Sequence, residues 1–319
     1  MKILIIIGLL VNVIFANEYL ESIYNNILLK NSESLVQSAK NMQHTIAIKD
    51  QKKAQSDFKI LIRDWKKVQG FYLLGDYDTS YIDIPRYIDF FHHGNEDLTT
   101  QLERITKSTD EVNIALFKNS FKSINALEYI LFQHSIKEER IQKIALVIIN
   151  ALTNNFLDIF DGYKEIQQKF INDEPKAHAV MLNSLIETSY KLKEWRIGDV
   201  VGKSKKYKNQ PNITRGEYYI SKNSLYAIVT ILEVQNEILG KNSFKNYGSL
   251  IEKYGVIEEL QDARRYLTNS IAIAKNLDEE SFVKDTKLFN ETKKLYANYY
   301  ITLIGKLKIK AKVLDADGD

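Results

Sequence analysis

Apolar residues recur along this chain every third or fourth position. Phe58, Leu61, Ile62, Trp65 and Val68 form one stripe, and Ile141, Ile144, Ala145, Ile148, Leu152, Phe156 and Ile159 form a longer one. Leu225, Ile228, Val229 and Leu232, then Leu288, Leu295, Tyr299 and Leu303, keep the same period. Such spacing predicts amphipathic helices whose apolar faces need partners, and antiparallel packing supplies them most simply. No stretch alternates with period two, so a sheet is not expected. The predicted class is all-α, built as two packed helical bundles.

Two long stretches without periodicity interrupt the helices. The first runs over residues 70–97 and the second over 198–216, lengths more usual for functional or mobile segments than for plain connections. The best boundary is Asp173-Glu174-Pro175, because proline cannot continue a helix and disfavours helix in the residue before it. It divides residues 17–173, a first bundle, from 174–319, a second. The halves share weak similarities. Arg63-Asp64-Trp65-Lys66 corresponds to Lys193-Glu194-Trp195-Arg196, each ahead of a long stretch, and Ser123-x-Asn125-x-Leu127 corresponds to Ser221-x-Asn223-x-Leu225. In the same order, together, these suggest an internal duplication.

Composition narrows the chemistry. Three prolines and thirteen glycines in 319 residues suit long helices, and the lack of cysteine removes disulfides, thiolate metal sites and thiol nucleophiles. Lys2 followed by an apolar run to Phe15 and a small residue at Ala16 predicts a cleavable secretory signal over residues 1–16. The mature chain would then be periplasmic, without a stable membrane span. The net charge of +3 gives no global field to suggest nucleic acid, although Lys203, Lys205, Lys206, Lys208 and Arg215 gather in one stretch. That cluster reads as a solvated face or as a site for an anionic ligand or partner.

The stretch from Trp65 to Phe132 carries a resemblance. A helix ending in tryptophan leads to Ile82-Asp83-Ile84-Pro85, then to Ser123-Ile124-Asn125-Ala126-Leu127-Glu128 and a Leu/Phe-rich run. This order resembles the imelysin family, whose helix reads Gly-x-His-x-x-Glu. Glu128 holds the family's Glu position, while Ser123 replaces its Gly and Asn125 its His. The resemblance implies two bundles side by side with a site near their interface, and links the chain to iron-regulated envelope proteins and iron uptake. It also brings an older label of peptidase.

On a helix, Asn125 and Glu128 share one face, so an amide and a carboxylate point the same way. The candidate ligand-binding residues are Asn125, Glu128, Asp83, Arg86, Trp65 and Asn223, with Glu128 and Asp83 as candidate metal ligands. The residues do not identify a cofactor; a metal ion, iron or zinc, is the one the resemblance suggests. A neutral amide in place of imidazole weakens a transition-metal site. Structural readings stand beside these. Glu128 could pair with a buried arginine or cap a neighbouring loop, Asp83 could cap a helix begun by Pro85, and Arg86 could reach Glu128 or stay in solvent. Trp65 and Trp195 are expected in the core. His92 and His93, near Gly94 and Glu96, could collect a metal only through loop geometry, and Tyr218, Tyr219, Tyr226, Tyr266, Tyr299 and Tyr300 could line a cleft for haem or an aromatic siderophore. The expected function is a periplasmic ligand- or metal-binding component of iron-related envelope physiology, its partner a small ligand or an envelope protein. A metallopeptidase and a purely structural envelope protein are the alternatives.

Overall fold

Local signals account for where the helices begin. The computed structural model describes residues 17–93 and 96–312, so the expected signal at 1–16 lies outside the described residues. Helix α1 (Lys30–Ala47) follows directly on a π-helical turn, Tyr24–Leu29, and α2 (Gln51–Gln69) opens where the Asp50 side chain accepts the Lys53 N–H. The same device starts α3 (Leu98–Lys107) at Asp97 and α4 (Ile124–Gln133) at Ser123. Helix α5 (Glu139–Asn172) is the longest described, and α6 (Glu174–Lys191) follows after one residue. The break falls at Asp173, whose side chain accepts the Lys176 N–H, with Pro175 in the new first turn. Then come α7 (Ser224–Leu239), α8 (Ile257–Lys275) and α9 (Lys287–Ala297). No strand occurs among the described residues.

The apolar stripes choose the packing. In one bundle α1 lies against α2 and α5, and α4 packs on α2 and α5 with α3 over it. In the other, α8 lies between α7 and α9, and α6 meets α9. The two are joined along α2 with α7 and α5 with α6, so a single apolar core runs through both. Phe58, Leu61, Ile62 and Trp65 of α2 are wholly buried, each stabilising the fold by about 1.5–3 kcal/mol. Helix α5 is long and apolar enough by composition to cross a membrane, but its stripe from Ile141 to Ile159 faces this core.

Two features depart from the sequence pattern. The stretch 70–97 contains short helical turns, Leu74–Tyr77, Thr79–Tyr81 and Ile84–Ile88, instead of plain loop. Beyond α6 the chain widens into a π-helical segment, Leu192–Gly198, whose extra residue per turn alters which side chains face inward. Arg196 is buried there, and Trp195, expected as a core anchor, is only half-buried.

Candidate functional site

Trp65 and Lys66 close α2, and Arg196 sits in the π-helical segment of the other bundle; all three face the seam. Lys66 has no exposure at all, yet its ammonium lies 2.6 Å from Asp89 Oδ2 and 2.5 Å from Glu217 Oε1. Arg196 Nε donates to Glu217 Oε2 at 2.7 Å. Trp65 Nε1 donates to Asp89 Oδ2 at 3.0 Å, and Gln69 bridges the group by accepting from Lys66 and Arg196. Asp89 comes from the first long stretch and Glu217 follows directly on the second. Burial raises the Asp89 carboxyl, but the Lys66 ammonium, with Arg196 behind it, more than offsets this and holds it well below the usual carboxylate range. Burial pushes the Glu217 carboxyl the other way, upward, against Arg196 and Lys66, so two cations face two acidic groups inside the protein, the condition under which buried charge is tolerated.

Helix α4 holds both long stretches over this cluster. Asn125 Oδ1 accepts the Phe90 N–H at 2.7 Å, fixing the first beside Asp89. Glu128 Oε1 accepts from the Ser221 N–H at 2.8 Å and from Ser221 Oγ at 2.6 Å, fixing the turn that follows the second. Asn223 donates to Ser221 Oγ at 2.9 Å. The turn it steadies contains two non-glycine residues in left-handed backbone, Tyr218 at φ +65° and Lys222 at +56°. No ion pair to Glu128 occurs among the described residues. Burial therefore dominates and pushes its carboxyl up to about 7, against the Ser221 hydrogen bonds, with Glu217 and Asp89 adding to the rise. Of the two structural readings of Glu128, a buried arginine partner or the capping of a neighbouring loop, the Ser221 contacts fit the second.

A second link ties the first stretch to the other bundle. His92, at φ +62°, places Nε2 2.6 Å from the buried Asp199 Oδ2 and stacks on Trp195 with ring centroids 4.7 Å apart. This stack is where Trp195 goes instead of the core.

The remaining candidates lie elsewhere. Asp83 precedes the Ile84–Ile88 turn, but its carboxylate makes no capping hydrogen bond; it is exposed, 3.6 Å from an equally exposed Arg86. Pro85 does stand in that helix's first turn. Glu96 bonds to Lys118 and Ser120, and His92 to Asp199. Tyr218 and Tyr299 are buried, so the tyrosines do not form one groove. Sequence reasoning singled out Trp65, Asn125, Glu128 and Asn223, but not Lys66, Asp89, Arg196, Glu217 or Ser221 as a set. Its one available signal was the paired Trp65-Lys66 and Trp195-Arg196, whose two cations meet on Glu217.

The donors do not suit a resident metal. Asn125 spends its oxygen on a backbone amide, and Glu128 Oε1 accepts twice from Ser221. Asp83 and Glu128 have no partner in common. Among the described residues no group of three or more His, Asp or Glu is arranged to hold a metal ion. Beside α4 lies an open cleft of about 600 Å³, bounded by Thr100, Glu103, Arg104 and Lys107 of α3, Tyr129 and Gln133 of α4, and Tyr219 and Ile220. Tyr129 and Ile220 are the sequence neighbours of Glu128 and Ser221. The Tyr129 hydroxyl donates to Glu103 Oε2 at 2.7 Å.

Two fused helical bundles with a charged seam and a side cleft define an all-α protein of imelysin architecture. The sequence profile of the Imelysin family matches residues 21–275, and the chain belongs to that family. Its fold is similar to an imelysin-like protein from Psychrobacter arcticum, with 14% identity, a TM-score of 0.67, and 94% of this chain and 98% of that one covered. It is also similar to a protein from Parabacteroides distasonis named as an iron-regulated protein A precursor, with 14% identity, a TM-score of 0.73, and 91% and 94% covered. No curated protein sequence matches the chain.

Proposed function

We propose that this protein is an exported, non-hydrolytic binding protein of iron-related envelope physiology, taking a small ligand in the cleft beside α4. One observation carries the reading: Asn125 Oδ1 and Glu128 Oε1, on the side chains at the positions of the family's His and Glu, are engaged in holding two loops. A metallopeptidase needs an open metal position and a free carboxylate. The cleft is within the size range of small-ligand sites, and its lining carries Arg104, Gln133 and Tyr219 beside a Glu103 already bonded to Lys107 and Tyr129. The iron-regulated name of one structural relative and the apolar residues 3–15 support the physiological setting.

The test is native mass spectrometry and metal analysis of the protein purified from its own cells, with peptide turnover measured on the same sample. A small-molecule adduct lost in Tyr129→Ala, with no turnover, is the expected result. Metal-dependent peptide cleavage abolished in Glu128→Gln would establish the peptidase instead. N-terminal sequencing should find a chain beginning at or near Asn17; an intact Met1 in the membrane fraction would overturn export.

A further inference from the structure

The second long stretch carries a cationic loop that none of the contacts at the seam uses. Its ends are tied together. Asn209 N–H donates to Gly202 O at 2.8 Å, Asn212 N–H to Val200 O at 2.8 Å, and Lys203 N–H to Gly198 O at 2.8 Å. Gly202 at φ +67° makes the tight entry, where a side chain would meet the Gln210 backbone, and Asn209 at φ +61° makes the exit. Between them stand Lys203, Ser204, Lys205, Lys206, Tyr207 and Lys208. Ser204 is buried and accepts the Tyr207 N–H, and the half-buried Tyr207 lies under the Arg215 guanidinium, 3.9 Å from its ring. All four lysines are exposed.

Their charge is not neutralised. No acidic residue occurs between Asp199 and Glu217, and those two are buried and occupied by His92 and by Lys66 with Arg196. The nearby Glu194 spends its carboxylate on Lys193 and on the Lys205 backbone N–H. No ion pair to Lys203, Lys205, Lys206 or Lys208 occurs among the described residues. A chain with a net charge of only +3 therefore concentrates four ammonium groups on six consecutive ordered residues. Like charges this close repel, and the backbone ties hold the loop against that repulsion.

We propose that this loop docks on a membrane surface of anionic lipid headgroups. Protein interfaces are depleted of lysine and built around aromatic and arginine anchors, whereas here the aromatic ring is covered and the arginine is folded over it. Nucleic-acid binding would call for exposed aromatic rings for stacking along a longer basic track. Strongly hydrated lysines on a compact turn suit a fluid layer of phosphates, which rearranges to meet them without a shaped pocket.

The experiment is sedimentation of the purified protein with vesicles of phosphatidylcholine alone or with about one-third phosphatidylglycerol, at about 0.05 M and 0.3 M salt to change the screening length. Binding to the anionic vesicles only, lost at the higher salt, is expected. The fourfold variant K203Q/K205Q/K206Q/K208Q should bind at least about tenfold more weakly with an unchanged melting curve, because each lysine near an anionic surface contributes severalfold. A control, K308Q/K310Q, removes two other exposed lysines and should bind as wild type. Equal binding to neutral vesicles, no binding at low salt, undiminished binding by the fourfold variant, or preference for soluble polyglutamate over anionic vesicles would each overturn the proposal.

Discussion

Glu128 gives the sharpest expectation at the residue scale. Its carboxyl is pushed up to about 7 in the folded protein, against an ordinary 4.5. The folded state thus binds the proton more tightly than the unfolded one. Its contribution to stability is fully present below about pH 4.5 and is lost as pH rises through about 7, amounting to about 3 kcal/mol. Glu128→Gln keeps an oxygen for Ser221 and removes the ionisation, so it should leave stability at pH 4.5 nearly unchanged and raise it at pH 8 by about 1–3 kcal/mol. Urea unfolding at the two pH values checks this; a similar loss at both would refute it. Lys66 gives the complementary case. Lys66→Met leaves Asp89 and Glu217 with one cation fewer and should cost about 3–5 kcal/mol. Adding Glu217→Gln restores the balance and should recover part of that loss, measured as a double-mutant cycle.

At the scale of elements, α4 acts as a clamp on two long stretches. Asn125→Ala strands the Phe90 N–H and should cost about 1–3 kcal/mol locally. Hydrogen exchange should then quicken over residues 84–93 before it changes in α2 or α5; uniform quickening would count against the clamp. Helices α2, α5, α7 and α9 were legible from their stripes, and the interruption of helix at Asp173 from the proline two residues on. The role of α4 was half legible. The three-residue spacing put Asn125 and Glu128 on one face, as the structure has them, but the residues they meet, Phe90 and Ser221, are 35 and 93 positions away. No local signal reports such pairings. The π-helical turn at Leu192–Gly198 was invisible for a related reason: one added residue in a turn leaves composition and period almost unchanged, yet moves Trp195 from the core to His92.

At the scale of the whole molecule, the two bundles share one core, and Gly70 marks how closely they approach. A side chain there would meet Val234 Cγ1 and the Lys66 carbonyl oxygen, each at 2.8 Å. Gly70→Ala should therefore destabilise by about 1–3 kcal/mol through overpacking. If the bundles unfold as one unit, circular dichroism and tryptophan fluorescence should give a single coincident transition in wild type, since Trp65 and Trp195 report from the two sides of the seam. Separate transitions would mean that the halves are energetically independent. Lys66 meets Asp89 and Glu217, and Arg196 meets Glu217, so each bundle contributes a cation that follows a tryptophan to one shared cluster.

The sequence alone determined what depends on neighbours within a few positions: the all-α class, the apolar faces of the long helices, and that no thiol chemistry is available. Periodicity is local, so it can be read without the fold. The tertiary structure decided everything that depends on desolvated charge. By sequence, Lys66 is an ordinary lysine beside an apolar stripe, and it would be placed in water. It is buried because Asp89 and Glu217, brought from two distant stretches, offset the cost of removing it from solvent. The same burial, without a cation of its own, sets the state of Glu128.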